Sequence, residues 1–459
     1  MLTVSYVAAA AAMIAAALHL VLRLRPFITT TTLLMGSLLL IYGPAFLSFT
    51  LSSGDYALLI HPFTGGTPPV PSIFAAMRAK GLEPDTVVTA MNFSVALMYV
   101  GIIAGIEAVD RAFPARAAML ATAVANWRDQ TISDDVRSHS ILLSVMSLLV
   151  LLMLYFSVSE NHLGTISQFF SIRHDNIARN LFRAHFGGSP NYWYRLILAA
   201  VAPMFIIWGL VAGLVSRSLP LLALTGLLFA ATMLGKIESL SKAPPVFLLF
   251  QFMFAALLTF TNRVSWRVAL VGSLLAVFLI YVAARTFIIF APGQSVAAMV
   301  YSRIFEVENQ TLLENFAAFP GLHPFMWGNN LRPIAMLNGV PFVPAFNIVG
   351  YIWYGSHDIT SPSLFIADAW ADFSYAGVIV YSIVAGAVCR TLDLAFIARG
   401  KSVIGVAVLG ATLVGVLTLL TTALNIALIT GGLLLAPLLA GAIMLAARGL
   451  NRASIRRAS

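Results

Sequence analysis

Residues Ser140–Val158 read SILLSVMSLLVLLMLYFSV, 19 positions without a charge, a proline or a glycine. A helix that crosses a bilayer needs about 20 such residues, and this pattern recurs along the chain. Comparable runs lie near 4–22, 30–50, 90–109, 196–214, 219–234, 245–261, 268–290, 374–392, 402–421 and 424–446, so eleven spans are expected. The last two are parted only by Thr421, Thr422 and Asn425. Composition points the same way. Of 459 residues 60% are apolar and 10% charged, with a mean hydropathy of +0.91, against roughly 45–50% and 25% in soluble domains. A soluble globular enzyme, a disordered chain and a fibrous protein are excluded. The expected fold class is all-α: a polytopic transmembrane helical bundle of about 11 spans, residues 1–459 forming one integral membrane domain.

The first run follows Met1 directly, with no basic leader and no small-residue cleavage site, and reads as a retained span. Cys389 is the only cysteine, so no disulfide framework and no cysteine metal site is expected. The net charge is +9. In a soluble protein that would suggest nucleic acid, but membrane proteins concentrate Lys and Arg on the cytoplasmic side. With the N-terminus outside and the C-terminus inside, cytoplasmic loops hold 16 of the 27 basic residues and 6 acidic ones. The outer side keeps 11 basic and 12 acidic residues. Nucleic acid is therefore not an expected partner; membrane lipid is.

This topology places the long loops outside, where functional segments are expected. The largest, near 291–373, holds FPGLHPFMWGNNLRP (319–333) and YIWYGSHDITSPS (351–363). Trp327, Trp353 and Tyr354 suit either interfacial anchoring or carbohydrate stacking, with Asn330 among the hydrogen-bonding groups beside them. Arg285 lies just inside the end of a span, where a guanidinium either pairs, faces a polar cavity or snorkels. Arg303 follows beside Glu306 and Glu308. In the short turn GKIESLSKAPP (235–245), Lys236, Ser241 and Lys242 precede a proline-led helix start, an arrangement suited to anions. Segment 159–195 has apolar residues at helical spacing with Arg173, Arg179 and Arg183 elsewhere on the wheel, as in an interfacial amphipathic helix. No histidine pair shows metal-ligand spacing.

These features together resemble the Wzy-type O-antigen and oligosaccharide repeat-unit polymerases, GT-C-class membrane proteins related to the O-antigen ligases. Ser241-Lys242 resembles that family's Ser-basic turn, and 291–373 its large outer loop. SPSLFIADAWADFSYAGVIVYSIVAG (361–386) resembles the closing segment, with Asp368 at an acidic position. Tyr375-Ala376-Gly377 departs from the usual Phe-Gly-x-x-Gly spacing. The resemblance implies transfer of a growing glycan from undecaprenyl diphosphate onto another lipid-linked repeat unit, at the periplasmic face of the bacterial inner membrane. It implies no cofactor and no metal. Lys242, Arg285, Arg303, Ser241, Lys236 and Arg332 become diphosphate-binding candidates. Asp358, His357, Asp368 and His323 become general-base candidates, and Trp327, Trp353, Tyr354 and Asn330 sugar contacts. A flippase and a chain-length regulator are candidate partners. A ligase-like glycan transferase and a non-enzymatic exporter or flippase of lipid-linked sugars are the alternatives.

Overall fold

The computed structural model describes residues 1–24, 29–51, 73–127, 130–133, 139–172, 178, 182, 191–238, 243–260, 274, 278, 281–282, 305–355 and 361–458. Within them the chain is helical, and seven helices are long and apolar enough to cross a membrane: Leu2–Leu24, Thr30–Leu51, Pro84–Ala112, Ile141–Ser159, Tyr192–Ser216, Leu219–Ile237 and Phe365–Phe396. Shorter apolar helices occupy Pro245–Ala256, Val403–Leu419 and Leu435–Ala446. This is the build of a multi-pass membrane protein. The expected span 268–290 lies outside the described residues, apart from isolated positions. The expected span 424–446 is not one helix among the described residues. It runs as Leu424–Leu428, turns through Gly432 at φ +85°, and restarts at Leu435. The turn presses on Gly415, where a Cβ would lie 2.9 Å from the Gly431 carbonyl and 2.5 Å from Leu433 Cγ.

We name the helices used below α1 (Leu2–Leu18), α2 (Thr30–Ile41), α3 (Pro84–Ala112), α4 (Leu219–Glu238), α5 (Val307–Ala318), α6 (Arg332–Leu337), α7 (Ala345–Tyr354), α8 (Phe365–Phe396) and α9 (Val403–Leu419). Two apolar cores form among the described residues. The first joins α1, α2, α3, α5, α7 and α8. The second gathers 142–153, 194–212, α4, 254–258 and α9 from Val403 to Leu413, while Val416 and Leu419 at the end of α9 pack in the first.

The closest seam is α3 against α8. Gly101 and Gly105 of α3 meet Ser382 and Gly386 of α8, two small residues four apart on each helix. A Cβ on Gly105 would lie 2.2 Å from the Ile383 carbonyl, and one on Gly386 2.3 Å from the Ile102 carbonyl. Bilayers supply little hydrophobic drive between helices, so backbone proximity through small residues is what associates them. Gly105→Ala is accordingly expected to lower thermal stability by about 1–3 kcal/mol through overpacking. Gly36→Ala in α2, where an added Cβ meets nothing within 4 Å, should be neutral or slightly stabilising. Thermal unfolding in detergent or nanodiscs separates the two.

One end of the bundle gathers charge. Arg390 Nε and Nη2 donate to the two oxygens of Asp110 at 2.6 and 2.8 Å. Asp393 caps α2, accepting from Thr30 N at 2.8 Å, Thr31 N at 3.1 Å and the Thr31 hydroxyl. Arg23 donates to Glu107 at 3.2 Å, and the Lys401 carbonyl accepts from Ser133 N at 3.0 Å. These residues share the side that the basic-residue count assigns to one compartment. At the other end α5, α6, α7 and the head of α8 build a cap.

Candidate functional site

The cap is docked into a break in α8. Phe373 (φ −135°, ψ 18°) and Ser374 (φ 56°, ψ −145°) are not helical. A continuous helix would pair the Ala371 and Asp372 carbonyls with Tyr375 and Ala376. Here those carbonyls accept from the cap: Ala371 from Met326 N at 2.8 Å, Asp372 from Trp327 N at 3.1 Å. The Asp372 carboxylate accepts from Gly328 N at 3.0 Å and Asn330 N at 3.3 Å. One turn earlier, Asp368 accepts from Asn330 Nδ2 at 2.6 Å, and Asn330 Oδ1 accepts from Ala345 N at 2.8 Å. Irregular backbone at the head of a membrane-length helix is tolerated only where protein or a polar cavity satisfies it. The segment 326–330 does so.

Local sequence explains the fit. Gly328 sits at φ +88°, which an L side chain rarely adopts, and a Cβ there would reach Phe373 Cζ at 3.1 Å. Gly377 lets the second half of α8 approach the first, since a Cβ there would lie 2.2 Å from the Ala369 carbonyl. Aromatic rings close the surroundings. Trp370 donates from Nε1 to the Phe319 carbonyl at 2.7 Å, stacks on Phe316 at 4.7 Å, and meets Phe325 and Tyr375 edge-on. Trp327 remains 68% exposed at the rim.

A second buried centre forms around Glu314 of α5. Its Oε1 accepts from Gln310 Nε2 at 2.7 Å and Tyr354 OH at 2.8 Å, and its Oε2 from Ser361 Oγ at 2.7 Å. Trp353 Nε1 donates to the Glu314 carbonyl at 3.1 Å. The Trp353 ring carries Lys80 Nζ 5.4 Å from its centroid, and that ammonium also donates to the Ile352 carbonyl. Burial raises the Glu314 carboxyl above its ordinary value, with the three donors pulling the other way. Burial, then the Glu314 charge, raises Tyr354.

An acid whose folded pKa is raised adds stability below its unfolded pKa, and that contribution is lost as pH rises through the folded value. Glu314→Gln resembles the protonated form, because the amide can donate to Ser361 Oγ. The variant is therefore expected to gain thermal stability relative to wild type as pH rises from acid to neutral. A difference that stays flat across that range, or shrinks, would contradict this.

The structure thus joins two of the sequence-derived candidates directly, Asp368 and Asn330, with Trp327 on the same loop. Trp353 and Tyr354 direct their polar atoms to Glu314. His323 places Nδ1 2.7 Å from the Pro324 carbonyl and its ring against Phe319, while Arg332 opens α6 and is exposed. Lys236 is buried near the end of α4, a helix of the second core, whereas Asp368 belongs to the first. Ser241, Lys242, Arg285, Arg303, His357 and Asp358 lie outside the described residues. Sequence reading missed Asp372, Glu314 and Ser361. The available signal was Asp368-x-x-x-Asp372, two acids on one helix face at the head of an apolar run. No family model, no curated protein and no solved structure matches the chain.

Proposed function

We propose that the protein polymerises undecaprenyl-diphosphate-linked oligosaccharide repeat units into a polysaccharide such as O-antigen, capsule or exopolysaccharide. In this reading the cap faces the periplasm, the N-terminus is outside, and the charged end with the C-terminus is cytoplasmic. The observation that carries the proposal is the broken α8. A membrane-length helix is interrupted at its head, two acids stand in the turns just before the interruption, and a loop bearing an exposed tryptophan is docked there. Such a place lets a sugar approach from water while its lipid stays in the bilayer.

The chemistry needs few groups. An acceptor sugar hydroxyl attacks the anomeric carbon of the donor chain, the bond from that carbon to the diphosphate oxygen breaks, and undecaprenyl diphosphate leaves. A carboxylate takes the hydroxyl proton, with Asp368 as the candidate base among the described residues and His323 behind it. Asp358 and His357 keep that candidacy from sequence. Cations meet the charge that develops on the diphosphate. Lys242, Arg285 and Arg303 are proposed for this role, with Ser241, Lys236 and Arg332. Trp327 offers a stacking face for a sugar, beside Asn330.

The test is glycan length in a strain deleted for the gene. Loss of the polymer ladder, with a single repeat unit still attached to the final acceptor, is the expected result. An unchanged ladder would refute the proposal, and loss of every glycan from the acceptor would point to ligation instead.

A further inference from the structure

Residues 331–344, α6 and the turn that follows it, form a loop whose two ends meet. Asn330 closes it by accepting from Ala345 N at 2.8 Å, and the same side chain donates to Asp368 at 2.6 Å in the first turn of α8. The loop therefore springs from the head of a helix long and apolar enough to span the membrane.

Its tip is unlike a water-facing surface. Leu337 is 85% exposed and Met336 71%, and Val340, Phe342 and Val343 are exposed beside them. No Asp, Glu, Lys, Arg or His occurs between Arg332 and His357. Contiguous exposed apolar side chains of this kind mark an interaction surface. The backbone is also prepared for a place without water. Leu331 N donates to the Gly328 carbonyl, Ile334 N and Ala335 N to Leu331, Asn338 N to Ile334, Gly339 N to Met336 and Val340 N to Ala335, at 2.9–3.2 Å. Pro333, Pro341 and Pro344 have no N–H to satisfy. Asn338 turns its amide back to Asn329 Oδ1 at 2.8 Å. In hydrocarbon, backbone groups must be met internally, and this turn meets most of its donors so. Arg332 is exposed at the base.

From these observations we infer that the turn 331–344 dips its apolar tip into the phospholipid leaflet at the capped end of the bundle. The occupant is lipid rather than a second protein. The tie to Asp368 holds the base of the turn at the depth where a span begins, and the single cation stands at the rim. The inference concerns how the cap is seated and stands apart from the proposed reaction.

The experiment uses full-length protein in bilayers of phosphatidylcholine and phosphatidylglycerol. Leu337→Cys carries an environment-sensitive maleimide fluorophore; Cys389 is buried, and wild type treated alike gives the background. Quenching by nitroxide lipid several-fold stronger than by aqueous iodide is expected. Strong iodide quenching would overturn the inference, and so would protection from both quenchers, which would mean a protein covers the tip. Val340→Cys repeats the measurement from the same tip should Leu337→Cys fold poorly.

Discussion

Arg390→Ala is expected to destabilise the protein by roughly 3–5 kcal/mol, the cost of leaving a buried carboxylate without its partner. Arg390 is 9% exposed and Asp110 6%, and two hydrogen bonds join them in fork geometry. The pair links the ends of α3 and α8 that lie away from the cap, the two helices that also share the glycine seam. Asp393, three residues on, is buried as well and would lose the nearby guanidinium. Thermal unfolding of purified protein should show a marked fall for Arg390→Ala. The double variant Arg390→Met with Asp110→Leu should recover most of it, since replacing both members of a buried pair by apolar groups is often neutral or better. A fall below about 1 kcal/mol for the single variant would mean that water or another cation reaches Asp110.

The second large effect belongs to Asp368. Asp368→Ala leaves the Asn330 amide without its acceptor beneath the cap, which costs roughly 1–3 kcal/mol for a buried donor and loosens the segment that fills the break in α8. Asp368→Asn keeps an oxygen for Asn330 and removes the acid. As the proposed base, its loss should lower polymer formation by about 10²–10⁴-fold with little change in thermal stability. Asp368→Asn protein that is stable and makes undiminished polymer would leave Asp368 as a structural tie alone. Measuring melting temperature and polymer length on both variants distinguishes those roles.

Much of the fold is legible from sequence where one element decides its own structure. Ser140–Val158 and the run 196–214 carry no charge, so hydropathy alone finds them. The same signal failed at the head of α8. That helix starts at Phe365, nine residues before the expected 374, because Asp368 and Asp372 read as loop residues. Their charges are met by Asn330 and Gly328, about forty positions away, and such long-range satisfaction leaves no trace in a local window. The break itself falls at Phe373-Ser374, which contains neither proline nor glycine. Gly101-x-x-x-Gly105 was visible in sequence, yet its partner stretch Ser382-x-x-x-Gly386 becomes meaningful only once α3 and α8 are side by side. The candidate site was legible in part. Asn330 stands out as a polar group among aromatics, but its role as the clasp between Ala345 and Asp368 belongs to the fold. Glu314 was hidden for the opposite reason: α5 mixes polar and apolar residues, and only Ser361 and Tyr354, brought in by the fold, show that its carboxylate points inward.

The most direct test of the proposed polymerase is a reconstitution. Full-length protein in proteoliposomes receives the lipid-diphosphate repeat unit extracted from its own source strain, with no nucleotide and no metal added, and the glycan products are sized. A ladder of lengthening chains with released undecaprenyl diphosphate, absent for Asp368→Asn, is the expected result. Recovery of the substrate at one repeat unit, with no diphosphate lipid released by the wild-type protein, would contradict it.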